Sequence, residues 1–182
     1  MLQIAKEGTS CYLPNLVAVV TSQYEGEENM MAASWYSQVS AHPLRFGVAI
    51  SKERYTYSLV KQSGAFAINF LPYSHSHWIK ISGTISKRDQ DKLTSQSIDL
   101  ISGEKTGVPI LAQSFLAYEC RVHQMIPCGD HDWFVGDIIT TYWQPDCFNE
   151  YGSVNLNHLH YPLHLGGFHF LNLKQVNQLK SD

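Results

Sequence analysis

Apolar and polar positions alternate most clearly between Ser114 and Ile126, and a period of two residues is typical of a strand with one buried face. The apolar face would consist of Leu116, Tyr118, Cys120 and Val122, and the polar face of Glu119, Arg121 and His123. A polar turn follows at residues 127–132, and the β-branched run Trp133–Tyr142 comes next. This order predicts an antiparallel hairpin.

Four other apolar runs predict strands, because they are rich in strand-forming or small residues and are bounded by turn residues. These runs are Leu13–Ser22, Met30–Tyr36, Leu44–Ser51 and Ala65–Leu71. Pro43 disfavours a helical conformation at His42, so the chain must bend between the second and third runs. The segment Ile98–Gln113 contains two glycines and a proline, and it predicts a loop with at most an edge strand. The segment Leu163–Leu173 predicts a last short strand or a docking tail.

Helical patterns are few and short. Thr56 is placed to cap a helix that Gly64 would end, and Ser74–Ile81 predicts a second short helix. Ser86 and an aspartate three residues later have the spacing of a capping box, which predicts a third helix over Lys87–Ser95. Strands dominate and do not alternate regularly with helices. We therefore predict a mainly β protein, an antiparallel barrel with a few short accessory helices.

Composition narrows the class of protein. The chain has 182 residues, of which 44% are hydrophobic and 16% charged, so we expect one globular domain spanning residues 1–182. A net charge of −3 gives no overall basic field for nucleic acid or an anionic membrane. The longest apolar run, Leu16–Val20, is too short to cross a bilayer, and the first residues lack a signal-peptide pattern. Four scattered cysteines without a CxxC pair are typical of reduced thiols, so we expect a cytoplasmic protein.

A cluster of cations and hydroxyl groups lies where the Leu44–Ser51 strand ends and the first helix begins. The N-terminus of a helix favours an anion, because its N–H groups are free and its dipole is positive there. Arg54 can add bidentate charged hydrogen bonds, and the hydroxyls of Ser51 and Thr56 can complete a phosphate site. The alternative is a capped surface helix with a solvated basic patch. The local pattern leaves both interpretations open.

Small side chains dominate the run from Met31 to Ser34. With Ala32 and Ala33 between them, a planar ligand could approach the backbone, whose N–H and C=O groups could recognise its edge. Close packing of two strands in a tight barrel would explain the same alanines. This segment alone does not decide between a ligand site and close packing of strands.

Metal and nucleophile chemistry are poorly supported. The nine histidines include four close together near the C-terminus, but no carboxylate or cysteine completes a ligand spacing, so we expect no metal. His131 lies beside Cys128 and Asp130, yet no third group orients the pair and no G-x-S-x-G motif is present, which argues against a hydrolase. The G-x-G-x-x-G and G-x-x-x-x-G-K-[ST] nucleotide motifs are also absent.

Six motifs in one order resemble those of the flavin reductase-like family, the FMN-binding split-barrel group that includes flavoredoxins. They are NMMAASW at 29–35, SQVS at 37–40, SKERYTYSLVKQSGAFAINFL at 51–71, SKRDQDKL at 86–93, YECRV at 118–122 and GDHDWFVGDI at 129–138. The similarity extends from about Leu13 to Gly167, where the run PLHLGG ends. Each motif is weak alone, and their shared order is what makes the resemblance specific.

The resemblance implies an antiparallel split β-barrel, a homodimer, and FMN bound near the dimer interface, with FAD as a further possibility. It also implies hydride transfer from NADH or NADPH and onward electron transfer to free flavin, a ferric complex or a partner protein. Four groups of residues carry over by position. The isoalloxazine would lie along Met31, Ala32, Ala33 and Ser34, with Gln38, Val39 and Ser40 nearby. The phosphate would be held by Ser51, Arg54, Tyr55 and Thr56, and Ser86, Arg88 and Lys92 would close over it. His131 would lie by the flavin or the nicotinamide.

Two departures from the family pattern stand out. Lys87 replaces a glycine, and it cannot adopt glycine-only backbone conformations without cost. Ala32 replaces a frequent threonine and removes one hydroxyl contact with the ring. Three functions are compatible: an NAD(P)H-dependent flavin or ferric reductase, a non-catalytic FMN-binding electron carrier, and a ligand-binding protein that has lost redox use. The intact Arg54–Thr56 cluster argues against the third, and we favour the reductase.

Overall fold

The described residues of the computed structural model, 2–167 and 169–173, form twelve strands and three short α-helices. The strands are β1 Asn15–Leu16, β2 Ala18–Tyr24, β3 Glu27–Ala33, β4 Tyr36–Ala41, β5 Leu44–Ser51, β6 Ala65–Phe70, β7 Leu100–Ser102, β8 Pro109–Leu111, β9 Leu116–Cys128, β10 His131–Trp143, β11 Tyr161–Gly166 and β12 His169–Leu173. The helices are α1 Tyr55–Ser63, α2 Ser76–Thr84 and α3 Lys92–Ser95. The predicted mainly β fold with few short helices is confirmed.

One seven-stranded antiparallel sheet has the order β3-β2-β6-β9-β10-β5-β4. Its two end strands, β3 and β4, are consecutive in the chain. In the connection between them, Trp35 O accepts a hydrogen bond of 2.9 Å from Ala49 N of β5. The sheet therefore curves back on itself as a split barrel, and β2 is the one strand that pairs with β3 among the described residues.

The sheet is buried on both faces at β2 and β3. Val19 and Met30 point to an outer cluster, while Val20 and Met31 point into the barrel. A strand covered on both sides is a continuous apolar run rather than an alternating one, which is what the sequence has here. The outer cluster is completed by α2 and α3 through Trp78, Ile79 and Leu93. The barrel interior is rich in aromatic side chains, including those of Phe46, Phe66, Phe70 and Phe134.

The predicted hairpin is confirmed as β9 and β10, joined at Gly129 and Asp130. The predicted polar face of β9 is not solvated throughout, because Glu119 is fully buried. The burial arises because the predicted loop Ile98–Gln113 contains the two-stranded sheet β7–β8, which covers that face of β9. Pairings between distant segments of this kind leave no local pattern.

The other predictions for the strands are right in part. Met30–Tyr36 is not one strand: β3 ends at Ala33, and β4 begins at Tyr36. The predicted bend at Pro43 is confirmed between β4 and β5. The predicted last strand over Leu163–Leu173 forms parts of β11 and β12, which make a three-stranded sheet with β1. Phe168 lies outside the described residues, as do Met1 and residues 174–182 of the predicted domain.

The helix boundaries also differ. The N-cap of α1 is Arg54, not Thr56, because the Thr56 hydroxyl is buried and accepts a hydrogen bond from Asn29. Gly64 ends the helix in the left-handed conformation with φ of 67°, as predicted. The second helix runs past its predicted end at Ile81 to Thr84.

The predicted capping box at Ser86 was wrong, and α3 contains only Lys92–Ser95. Asp91 is its N-cap and accepts from the N–H groups of Leu93 at 3.1 Å and Thr94 at 3.3 Å. The residues before it form a turn that lies beside β3 and α1. No helix among the described residues is long and apolar enough to span a bilayer.

Candidate functional site

A groove runs from the β3 edge of the barrel to the N-terminus of α1. It consists of two adjoining depressions of about 380 and 180 Å³. Met31, Ser51, Arg54 and His131 line both of them, so the two are continuous. Together they are in the size range of small-molecule sites.

The larger depression, which we call the anion end, gathers residues from four separate segments. Of the predicted phosphate residues it contains Ser51, Arg54, Tyr55, Thr56, Ser86, Arg88 and Lys92. The smaller depression, the ring end, contains Met31, Ala32, Ala33 and Ser34. Gln38, Val39 and Ser40 lie on β4 and are outside the lining of the groove. Their predicted place near the isoalloxazine stays a prediction, as does the homodimer.

Sequence reasoning missed several lining residues: Asn29, Trp35, Ala49, Glu53, Ser82, Ile85 and Lys87. Alternation along β3 could have identified one of these, because Asn29 and Met31 lie two residues apart on the same face. Ser82 and Ile85 reach the groove only because α2 packs on β3, which no local pattern predicts.

The anion end lies at the start of α1 because β5 stops at Ser51 and the backbone turns there. Arg54 N donates to Ser51 O at 3.0 Å, and Arg54 itself has the extended conformation of an N-cap. The first N–H groups of a helix have no intrahelical partner. The guanidinium of Arg54 donates no hydrogen bond to the part of the chain that the structure describes. Its donors are available to a ligand.

Lys92 contributes a second cation at this end. Its side chain is only 2% exposed, and its ammonium group donates one hydrogen bond of 2.6 Å, to Ile85 O. Burial lowers the pKa of Lys92 to about 8, and the nearby charge of Arg54 acts in the same direction. Within residues 2–167 and 169–173 no carboxylate lies within 4.0 Å of this group. A buried cation without an acidic partner is costly unless an anion binds beside it.

Asn29 and Thr56 provide an uncharged pair in the same depression. Asn29 Nδ2 donates to Thr56 Oγ1 at 2.9 Å, which leaves the hydroxyl proton of Thr56 free to donate. Asn29 is 2% exposed, and its Oδ1 atom has no hydrogen-bond partner among the described residues. Since a buried polar atom without a partner is destabilising, this oxygen is suited to accept a hydrogen bond from a ligand.

At the ring end both interpretations of the small residues apply. Ala32 packs against α2, where a side chain added at Gly83 would come within 3.3 Å of the Ala32 Cβ atom. The same strand is the end of the sheet, and its small side chains leave the cleft beside it open. Ser34 O accepts a hydrogen bond of 2.7 Å from Asn15 Nδ2, which holds the end of the segment in place.

His131 and Trp35 form the mouth of the ring end. The ring centroids are 4.8 Å apart, and the planes are tilted by 53°. Asp130 lies 2.9 Å from His131 Nδ1, and this contact holds the pKa of the Asp130 carboxyl below its usual value. Trp35 is 58% exposed. The mouth therefore consists of an exposed tryptophan that packs against a partly buried histidine.

Lys52 lies next to Ser51 in the sequence, but its side chain is not part of the groove lining. Its ammonium group donates to Gly129 O at 3.0 Å and lies 3.3 Å from Asp132 Oδ1. Tyr57 donates to the other Asp132 oxygen at 2.7 Å. Lys52 therefore ties the turn that carries His131 to the start of α1.

The groove thus combines two features. The ring end has an open strand edge with small side chains, and the anion end has two cations without an acidic partner among the described residues. Among the described residues, no three histidine, cysteine, aspartate or glutamate side chains are placed to hold a metal ion. The arrangement fits a flat polar ring with an anionic tail. A flavin mononucleotide has both parts.

Comparison with known proteins also points to flavin-binding proteins. The flavin reductase like domain matches residues 10–161. An uncharacterized protein of Aeropyrum pernix is 34% identical over 134 residues, which are 73% of this chain, and the chain spans about half (51%) of that protein. An FMN-binding protein from Thermus thermophilus, solved with bound 1-cyclohex-2-enone, is 28% identical with a TM-score of 0.85 and covers 99% of this chain and 98% of its own.

A third protein is an NADH:FAD oxidoreductase, SgcE6, of Streptomyces globisporus. It is 25% identical with a TM-score of 0.67, and the match covers 73% of this chain and 78% of that one. The family match extends over most of the 182 residues and includes both ends of the groove. The chain belongs to the flavin reductase-like family.

Proposed function

We propose that this protein binds FMN in the groove and reduces it with NADH or NADPH, as a flavin or ferric reductase. The observation that carries the proposal is the pair of cations, Arg54 and Lys92, which lack acidic partners in the described structure and face the same depression. Their position at a helix N-terminus suits a phosphate. The strand edge at the other end of the groove suits the ring.

The phosphate would accept hydrogen bonds from Arg54, from Lys92 and from the free N–H groups at the start of α1. Ser51 and Thr56 would add hydroxyl donors. Asn29 Oδ1 lies at the anion end and would accept a hydrogen bond from a hydroxyl of the flavin side chain. In this arrangement the buried Asn29 Oδ1 atom gains a hydrogen-bond partner.

A bound flavin supplies the redox chemistry, since it accepts a hydride and releases electrons singly or in pairs. The chain would bind and orient the flavin, and Met31, which is 7% exposed, would help to exclude water from it. His131 and Trp35 would lie beside the exposed part of the ring, where a nicotinamide could stack. The Streptomyces globisporus relative uses NADH, which supports a nicotinamide donor, and the Thermus thermophilus relative supports FMN as the flavin.

An electron carrier that serves a protein partner is the second candidate. The observation that favours it is the exposure of Trp35, which leaves the ring end accessible to a surface larger than a nucleotide. No side chain at the mouth separates the two functions, since both need an open ring edge.

The deciding experiment uses purified protein under anaerobic conditions. We expect a bound-flavin spectrum and rapid loss of the flavin absorption band when NADH or NADPH is added. A colourless protein that takes up no added FMN would contradict flavin binding. A yellow protein that neither nucleotide bleaches would contradict the reductase and favour the carrier.

A further inference from the structure

Residues 85–91, which we call the strap, form the outer wall of the anion end. Ile85, Ser86, Lys87 and Arg88 all line the depression. The strap follows α2 and precedes the short helix α3, and only a turn defines its backbone. A ligand at the anion end would lie between the strap and the start of α1.

The first tether of the strap is Arg88. Its Nη1 atom donates a hydrogen bond of 2.9 Å to Glu53 O, on the opposite wall. The guanidinium also lies 5.7 Å from the centre of the Tyr55 ring, within cation–π range. Arg88 is therefore joined to the opposite wall of the groove by one hydrogen bond and one ring contact.

The second tether is Lys87, the residue that replaces the family's glycine. Its ammonium group lies 2.7 Å from Asp91 within the strap and 3.7 Å from Glu27 Oε2 on β3. Tyr55 donates to the same Glu27 oxygen at 3.4 Å. Burial alone would lower the pKa of Lys87, yet the carboxylates of Asp91 and Glu27 hold it above its usual value. Glu27 itself does not line the groove.

The four cations of the anion end thus divide into two kinds. Arg54 and Lys92 face the depression without an acidic partner, whereas Lys87 and Arg88 are engaged with the walls. We propose that the strap is a latch over the phosphate end of a bound flavin, with Glu27 as the positioning residue that keeps it closed. The inference rests on the proposed flavin binding and concerns the rate at which flavin leaves.

The test compares Glu27→Lys with Glu28→Lys in the full-length protein. Adding a cation near an anion site should by itself slow the release of FMN. Glu27→Lys also replaces an attractive pair with Lys87 by a repulsive one, so the latch predicts release roughly threefold to tenfold faster. Glu28 lies on the other face of the strand and, among the described residues, forms no ion pair with the strap, so Glu28→Lys should release FMN at the wild-type rate or more slowly.

FMN release is measured by stopped-flow fluorescence, and amide hydrogen exchange of residues 85–91 is measured in flavin-free protein. We expect faster exchange across the strap in Glu27→Lys alone. Slower release, or release unchanged from wild type, in a Glu27→Lys protein that binds FMN overturns the latch and leaves flavin binding intact. A wild-type protein that takes up no FMN overturns the proposed function as well.

Discussion

Two buried charged side chains in this protein differ in how many hydrogen bonds the protein makes to them. Glu119, under the β7–β8 hairpin, accepts hydrogen bonds from Lys105 N, Thr106 N and Thr106 Oγ1 on one oxygen and from the Tyr142 hydroxyl on the other. Lys92, in the groove, makes a single hydrogen bond to a carbonyl oxygen. Both side chains are almost completely removed from solvent.

This difference separates a residue that stabilises the fold from a residue that can bind a ligand. A buried ion whose partners all belong to the protein holds segments together and has no capacity left for a ligand. A buried ion with spare donors is stabilised only when something else binds. Glu119 should therefore govern stability and Lys92 should govern ligand affinity, and each prediction below tests one side of that contrast.

The largest effect is expected at Glu119. Replacing it with alanine leaves the Lys105 and Thr106 donors without their acceptor, and we expect a loss of about 3 kcal/mol in the free energy of unfolding. Denaturant unfolding measures it. FMN affinity in the folded protein should not change, and a large loss of affinity would contradict the separation of the two regions.

Glu119 should also make the stability of the protein fall at low pH. Burial alone would raise the pKa of Glu119, but its hydrogen bonds from Thr106, Tyr142 and Lys105 hold the pKa below the usual value. Its contribution is therefore present above a pH of about 4.3 and is lost as the pH falls through the lower folded pKa. Glu119→Ala should lose less stability than wild type over that range.

The next effect is expected at Arg54. Arg54→Ala removes charged hydrogen bonds to the phosphate, and we expect FMN affinity to fall by roughly 10- to 100-fold with little change in unfolding. Lys61→Ala is the matched control, because it removes a cation from the last turn of the same helix. Equal affinities for the two variants would show that Arg54 does not contact the phosphate.

The smallest effect is a pH dependence of binding that arises from Lys92. Its pKa near 8 in the flavin-free protein means that the ammonium charge is lost as the pH rises through that value. A bound phosphate favours the charged form, so FMN affinity should fall by about tenfold between pH 7 and pH 9. FMN titrations of Lys92→Met, followed by fluorescence, should show weaker binding and an affinity that changes less with pH. An affinity that changes with pH as steeply as that of wild type would show that Lys92 does not contact the phosphate.

Sequence reasoning predicted what depends on neighbouring residues. Leu44–Ser51 was assigned with the bounds that the structure has, and Arg54 was placed correctly at a strand-to-helix junction. It failed where distant segments meet: Thr56 is not a cap because Asn29, 27 residues earlier, donates to its hydroxyl. The pairing of Lys87 with Glu27 joins residues that no local spacing connects. The family resemblance supplied the order of the motifs but not these contacts.

The position of β3 at the end of the sheet has a consequence for the handling of the protein. An end strand is a template on which another chain can add a strand, and proteins usually shield such edges. A flavin along Met31–Ser34 would occupy the space beside this edge. A bound flavin would then protect the protein against aggregation, and we expect flavin supplied during expression to improve the yield of folded protein.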